Sequence, residues 1–148
     1  SEVGFHWHPH PVDWLHLESN YSSVFASDKS GNALPLIPAN KIQTTLKIEF
    51  KTKGKVKFES IFIEHIYRFS QDRIAVYETP TPDYHLLNAG LVFQINSKNN
   101  NVEITTGVKN ILNTKYIEHL SRFKQLGIDN AGLNAYIGLK WKFHTTEK

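Results

Sequence analysis

The chain has no cysteine and no methionine among its 148 residues. Without thiols it makes neither a disulfide nor a thiolate metal site, so a metal would have to be held by His or carboxylates. No run of about 18 apolar residues occurs, which excludes a membrane-crossing helix. That absence does not speak against a membrane barrel, whose lipid-facing residues are spread in alternation. Helical periodicity is nearly lacking too. There is no Gly-x-Ser-x-Gly elbow, no phosphate-binding glycine loop and no His-Glu-x-x-His pair. The expectation is therefore a protein that is not an enzyme and carries no cofactor. The chain starts without a methionine or a signal-peptide pattern and is in a strand almost at once, from Glu2 to Trp7. We expect a fragment or processed product of a longer polypeptide.

What is present is alternation. Hydrophobic residues make up 40% and aromatic residues 12%, enough for a folded domain rather than a disordered one. A net charge of +3, with lysines spread along the strands, gives no reason to expect a nucleic-acid partner. Val3, Phe5 and Trp7 share one parity, as do Leu15, Leu17, Tyr21 and Phe25 in a run from Trp14 to Ala26, with Trp14 off the pattern. The cleanest case is Ile42, Thr44, Leu46, Ile48 and Phe50, opposed by Gln43, Thr45, Lys47, Glu49 and Lys51. Leu87, Ala89, Leu91, Phe93 and Ile95 repeat it, and so do Ala135, Ile137, Leu139, Trp141 and Phe143. The run from Val56 to Phe69 breaks parity: Val56, Phe58, Phe62 and Ile66 agree, whereas Ile61 and Ile63 do not. A bulge or a second buried face would account for that.

About seven strands result, joined as hairpins. The connections around Pro9, Gly54 and Asn99 are short; those around Gly31, Val76 and Leu120 are long. Lys53-Gly54-Lys55 reads as a tight turn with Gly54 free to take positive φ. Between Thr114 and Asn134 the spacing of Tyr116 to Leu126 predicts a packed loop with a short helical turn. His6 and His8 have a spacing able to chelate one ion, but no carboxylate partner stands in register, so no metal site is expected.

One stretch carries a more specific signal. Gly107-Val108-Lys109-Asn110-Ile111-Leu112-Asn113-Thr114-Lys115-Tyr116 leads out of a strand, and a last strand ends on the aromatic Phe143. This resembles the C-terminal end of TonB-dependent outer-membrane receptors, whose penultimate strand leads into a Gly-Val-Lys-Asn-Leu-Phe-Asp-Lys-Lys-Tyr-like run. The matching positions are Gly107, Asn110, Asn113 and Tyr116, with Gly132 ahead of the last strand. Where that family often has Gly-Arg, this chain has Gly132-Leu133, and residues 144–148 continue past the aromatic stop.

The resemblance implies an all-β fold: an antiparallel up-and-down transmembrane β-barrel, of which this chain supplies about seven C-terminal strands. Residues 1–143 would be that barrel portion and 144–148 a C-terminal tail. It further implies import of a scarce ligand, such as an iron-siderophore or haem, across the bacterial outer membrane. The partners would be membrane lipid, the remaining barrel and plug, a TonB-type energy-coupling protein, and a barrel-assembly machinery that reads Phe143. Apolar faces would point to lipid, with an aromatic girdle of Trp7, Phe50, Phe93, Trp141 and Phe143 by the short turns and Phe25, Tyr67 and Tyr84 by the long loops. The rival expectation is a soluble antiparallel barrel or sandwich binding a small apolar ligand, its apolar face turned inward.

Overall fold

The computed structural model describes residues 1–97 and 100–143; residues 144–148, the expected tail, lie outside the described residues. The chain forms seven strands: β1 (Glu2–Trp7), β2 (Leu15–Ser22), β3 (Lys41–Glu49), β4 (Val56–Arg68), β5 (Tyr84–Asn96), β6 (Asn100–Lys109) and β7 (Asn134–Phe143). They pair antiparallel in strict sequence order, as one up-and-down sheet. A single short 3-10 turn, Lys124–Leu126, falls in the last long loop. Among the described residues β1 and β7 do not pair, so the sheet is open.

Cross-strand register assigns every strand residue to a face, because directly paired residues point the same way. One such row reads Trp7, Leu17, Leu46, Ile63, Ala89, Val108, Ala135. The parity break in β4 is a bulge: Phe58 pairs with Phe93 and Ser60 with Val92, leaving Glu59 without a counterpart. Val56 and Phe58 before it, and Ile61 and Ile63 after it, therefore share the apolar face, while Phe62 and Ile66 turn to the other. With that step counted, no Lys, Arg, Asp or Glu with a register partner in the described strands lies on the apolar face; Glu59, in the bulge, has none. The opposite face carries Glu18, Lys41, Lys47, Glu49, Glu64, Arg68, Glu103, Lys109, Lys140 and Lys142.

That apolar face has no protein against it. Leu46 is 37% exposed, Ile63 46% and Ile137 72%. Among the described residues Tyr84 is the sole large hydrophobic side chain that is buried. Its hydroxyls pair within the sheet instead: Ser19 Oγ lies 2.9 Å from Thr44 Oγ1, and Thr106 Oγ1 donates to the Tyr136 carbonyl at 3.2 Å.

The strand ends are staggered. Trp7 ends β1, but β7 runs on from Ala135, in Trp7's row, as far as Phe143. About eight residues at ~3.3 Å each, over six strand spacings of ~4.8 Å, tip the line of short turns by about 40° from the perpendicular to the strands. All three long connections, residues 23–40, 69–83 and 110–133, leave the same end of the sheet. The connection after β3 spans residues 50–55, longer than a tight hairpin, with Gly54 at φ +125°. In the turn between β5 and β6, Lys98 and Asn99 are outside the described residues.

On the polar face two aromatic rings fold over two glycines. The row Phe62, Gly90, Gly107, Tyr136 crosses β4 to β7. A Cβ on Gly90 would sit 2.5 Å from the Phe62 ring, and one on Gly107 would sit 2.5 Å from the Ala89 carbonyl and 2.7 Å from Tyr136 Oη. The rings cover backbone that no side chain covers, and in turn need the glycines bare. Lys109 Nζ caps the Tyr136 ring at 5.4 Å from its centroid. Gly107→Ala should therefore destabilise the sheet by about 1–3 kcal/mol. Gly138→Ala, whose Cβ would meet nothing nearer than 3.8 Å, should stay within about 0.5 kcal/mol. Denaturation midpoints of the two variants in one amphiphile check the contrast.

Candidate functional site

Polar burial gathers at the end that bears the long loops. Ser23, Gln71, Thr81, Asn88, Asn110 and His119 are buried there with Tyr84, and the three loops are tied to one another through them.

The ties begin at the exit of β6. Asn110, 3% exposed, adopts φ +51°, a left-handed conformation that Asn tolerates better than most residues. Its N–H donates to Asn88 Oδ1 at 2.9 Å, its side-chain NH2 donates to the Thr114 carbonyl at 2.9 Å, and its Oδ1 accepts the Thr114 N–H at 2.9 Å. Asn113, at φ +50°, accepts the Leu133 N–H at 3.1 Å and so pins the start of β7 to the end of β6. A Cβ at Gly132 would stand 2.5 Å from that Asn113 oxygen. Tyr116 stacks at 4.6 Å on Tyr84, and its carbonyl accepts the Asn130 N–H.

Gly107 stands apart in β6 under the Tyr136 ring, whereas Asn110, Asn113, Tyr116 and Gly132 are brought together. They form one folded corner between the last two strands.

From that corner a hydrogen-bonded line crosses the polar face. Asn88 donates to Glu64 Oε2 at 2.6 Å, Gln43 donates to Glu64 Oε1, and Lys41 Nζ donates to Gln43 Oε1 at 3.0 Å. Both carboxylate oxygens of Glu64 are held, which fixes β3, β4, β5 and the last loop to one another. Parity placed Gln43 on the polar face of β3 but left the run holding Glu64 ambiguous, and it gave no hint that these residues meet.

Above the line the second and third long loops interlock around His119. Its Nδ1 lies 2.8 Å from Thr81 Oγ1 and 3.0 Å from Lys124 Nζ. An ammonium has no lone pair, so a neutral, unprotonated Nδ1 is the acceptor that suits this contact. Nε2 faces Glu78 at 3.9 Å. Burial first, and then the charge of Lys124, push the His119 pKa below its ordinary 6.5, against the pull of Glu78. The backbone N–H groups of Leu36 and Ala75, donating to Glu78, hold its carboxyl below the usual range. Lys124 also donates to the Thr79 carbonyl, and Arg68 pairs with Glu118 at 3.0 Å. A groove of about 310 Å³ opens beside this cluster, lined by Tyr77, Glu78, His119, Arg122 and Lys124 among others. It presents two cations and an exposed tyrosine to whatever approaches the loops.

The aromatic residues divide. Phe50, Phe58 and Phe93 form a run on the apolar face by the short turns, with centroids 4.6 and 5.2 Å apart. Phe58, apolar by parity but not named in the expected girdle, is the link between the other two. Trp7 and Trp141 are exposed on the same face, and Trp141 Nε1 donates to Asn100 Oδ1 at 3.3 Å. Phe143 ends β7 opposite Asn100, and its side chain is outside the described residues. At the loop end Tyr67 stacks on His85 at 4.5 Å and meets Phe69 at 4.6 Å. Phe25 lies beyond β2, which stops at Ser22, and carries Arg73 over its ring. Tyr84 is a correction: it belongs to the polar face and packs inward on Tyr116 rather than standing in a girdle.

His6, His8 and His16 lie together as stacked rings 4.4–6.3 Å apart. Stacked imidazoles do not aim their nitrogens at one point, and among the described residues no group of three His, Asp or Glu is placed to hold a metal.

Two outcomes follow. Asn110→Ala strips buried backbone groups of their partners and should cost about 1–3 kcal/mol, read as faster hydrogen exchange across residues 110–133. On acidification, a His119 held neutral by the fold contributes stability that is present above pH 6.5 and lost as pH falls from there towards its depressed folded value. Protection factors of the loop amides, which are referred to intrinsic exchange at each pH, should fall in that window, and His119→Gln should flatten the fall. No protein-family model matches this chain, and no curated protein does.

Proposed function

We propose that this chain forms part of the wall and outer loops of a TonB-dependent receptor barrel in the bacterial outer membrane. In this reading the receptor imports a scarce ligand such as an iron-siderophore or haem. One observation carries the membrane part: seven paired strands present a face without a single Lys, Arg, Asp or Glu among the described residues that have a register partner, and no protein covers it.

The magnitudes favour hydrocarbon over water. Each Leu, Ile or Phe left in water forgoes about 1.5–3 kcal/mol of burial, and this face exposes more of them than a net stability of about 5–15 kcal/mol can absorb. A lipid environment removes that deficit without any second layer. Turning the sheet over would place several lysines in lipid at about 2–4 kcal/mol each near the midplane. The hydroxyls on the apolar face are internally bonded, as hydrocarbon demands.

Three further features support a barrel wall. β4 and β5 are 13 residues long and β6 and β7 are 10, against the roughly 9–11 needed to cross a bilayer at a tilt. The stagger of about 40° suits strands tilted in a barrel. Short turns at one end and long loops at the other match the periplasmic and extracellular ends of such proteins. Free edges on β1 and β7 cannot stay unpaired within a bilayer, so further strands of the same barrel, or those of a second copy where this chain is reconstituted alone, would pair with them, and a plug would meet the polar face. What supports the receptor family in particular is the run from Gly107 to Tyr116 with Gly132, whose sequence resembles that family's and whose Asn110, Asn113, Tyr116 and Gly132 build the corner. The TonB-type coupling protein and the assembly machinery are partners on the same ground, the latter through Phe143.

The test uses the absence of native cysteine. Single variants Leu91→Cys and Ile137→Cys place a spin label on the apolar face; Gln94→Cys and Lys140→Cys place it on the polar face. In lipid vesicles the first pair should relax with oxygen and ignore a water-soluble nickel chelate, and the second pair the reverse. Labels at 91 and 137 shielded from both reagents would instead indicate a dry protein interior and the soluble barrel.

A further inference from the structure

The short-turn end holds a feature that the wall itself does not require. A groove of about 430 Å³ runs between the β1–β2 turn and the end of β3, walled by Pro11, Trp14, Ile48 and Phe50, with Lys51 at its mouth. Ile48 lies on the apolar face and Phe50 continues its parity, so the groove is continuous with that face. Lysines that seemed evenly spread cluster here: Lys51, Lys53, Lys55 and Lys57 alternate through one stretch, and no acidic residue falls between Phe50 and Phe58. Residues 51–55 are exposed, and among the described residues none of these four lysines makes a salt bridge. Two carboxylates also line the groove, and both are engaged. Asp13 Oδ1 is 3.5 Å from His10, while Glu49 is 2.7 Å from Lys47 and 3.5 Å from His16.

We propose that this end binds an anionic phospholipid of the periplasmic leaflet, one acyl chain in the Trp14–Phe50 groove and the phosphate against Lys51, Lys53 and Lys55. The inference rests on the membrane reading above. An apolar slot opening beside an unpaired cationic turn matches the two halves of such a lipid, and the match is specific in sign. A zwitterionic headgroup gains little from three ammonium groups, whereas each lysine near an anionic surface adds on the order of fivefold in affinity. Trp14 reports occupancy directly, because it lines the slot.

The experiment is fluorescence quenching in vesicles, using the full chain with Trp7→Phe and Trp141→Phe so that Trp14 alone emits. The vesicles are phosphatidylcholine containing a tenth of either brominated phosphatidylglycerol or brominated phosphatidylcholine. The expected result is several-fold stronger quenching by the brominated phosphatidylglycerol. Adding Lys51→Gln, Lys53→Gln and Lys55→Gln should abolish the preference, and the corresponding Arg substitutions should keep it. Equal quenching by both lipids would overturn the anionic site while leaving the membrane reading intact. A preference that survives the Gln substitutions would overturn its assignment to this turn. Quenching by neither would overturn both.

Discussion

The constraint on which this structure depends is that one face of a seven-stranded sheet is predominantly apolar, without a register-paired Lys, Arg, Asp or Glu, and has no protein against it among the described residues. Sheets in water solve that problem with a second layer, and none is present among the described residues. In the membrane reading proposed above, lipid takes the place of that layer. Strand length, stagger, the sidedness of the loops and the internal pairing of hydroxyls follow from the same condition. So does the register: a one-residue slip between any two strands would bring charges onto that face, and the mismatch would spread to every neighbour.

Because the apolar face contributes no core, cohesion within the chain comes from the other side. Two kinds of contact provide it. Phe62 and Tyr136 lie over Gly90 and Gly107, locking the middle of the last four strands. The line from Lys41 through Gln43, Glu64 and Asn88 to Asn110 then ties sheet to loops, and His119 with its neighbours fastens loop to loop. A buried polar network of this kind rigidifies when every member is satisfied and fails when one is removed. The loop end is accordingly well braced yet sensitive to single changes and to acid. Loops that present a groove with Arg122, Lys124 and Tyr77 need such bracing if they are to hold a ligand in one place.

Much of this was legible in the chain, and for identifiable reasons. Alternation is a local signal, so β3, β5 and β7 and the faces of Leu46, Leu91 and Ile137 could be read directly. Loop lengths are local too. What escaped was everything that depends on which residues stand opposite each other. The faces of Phe62 and Ile66 required the bulge at Glu59 to be located, and the inward packing of Tyr84 required its pairing with Arg68 and its contact with Tyr116. Gly107 could be recognised as part of a pattern, but its reason, the Tyr136 ring lying over it, belongs to a residue some thirty positions away. The lysine cluster was visible in the letters and overlooked, because lysines were weighed along strands rather than at the turn between β3 and β4.

The most direct test is the state of the chain without any amphiphile. Sedimentation with far-ultraviolet circular dichroism, in plain buffer and then with phospholipid vesicles, separates the alternatives. A face that only hydrocarbon can cover should leave the chain aggregated or unfolded in buffer and give strand signal that sediments with the vesicles. A folded, monodisperse monomer in buffer alone would mean that the apolar face is covered by the protein itself, and the account would be wrong.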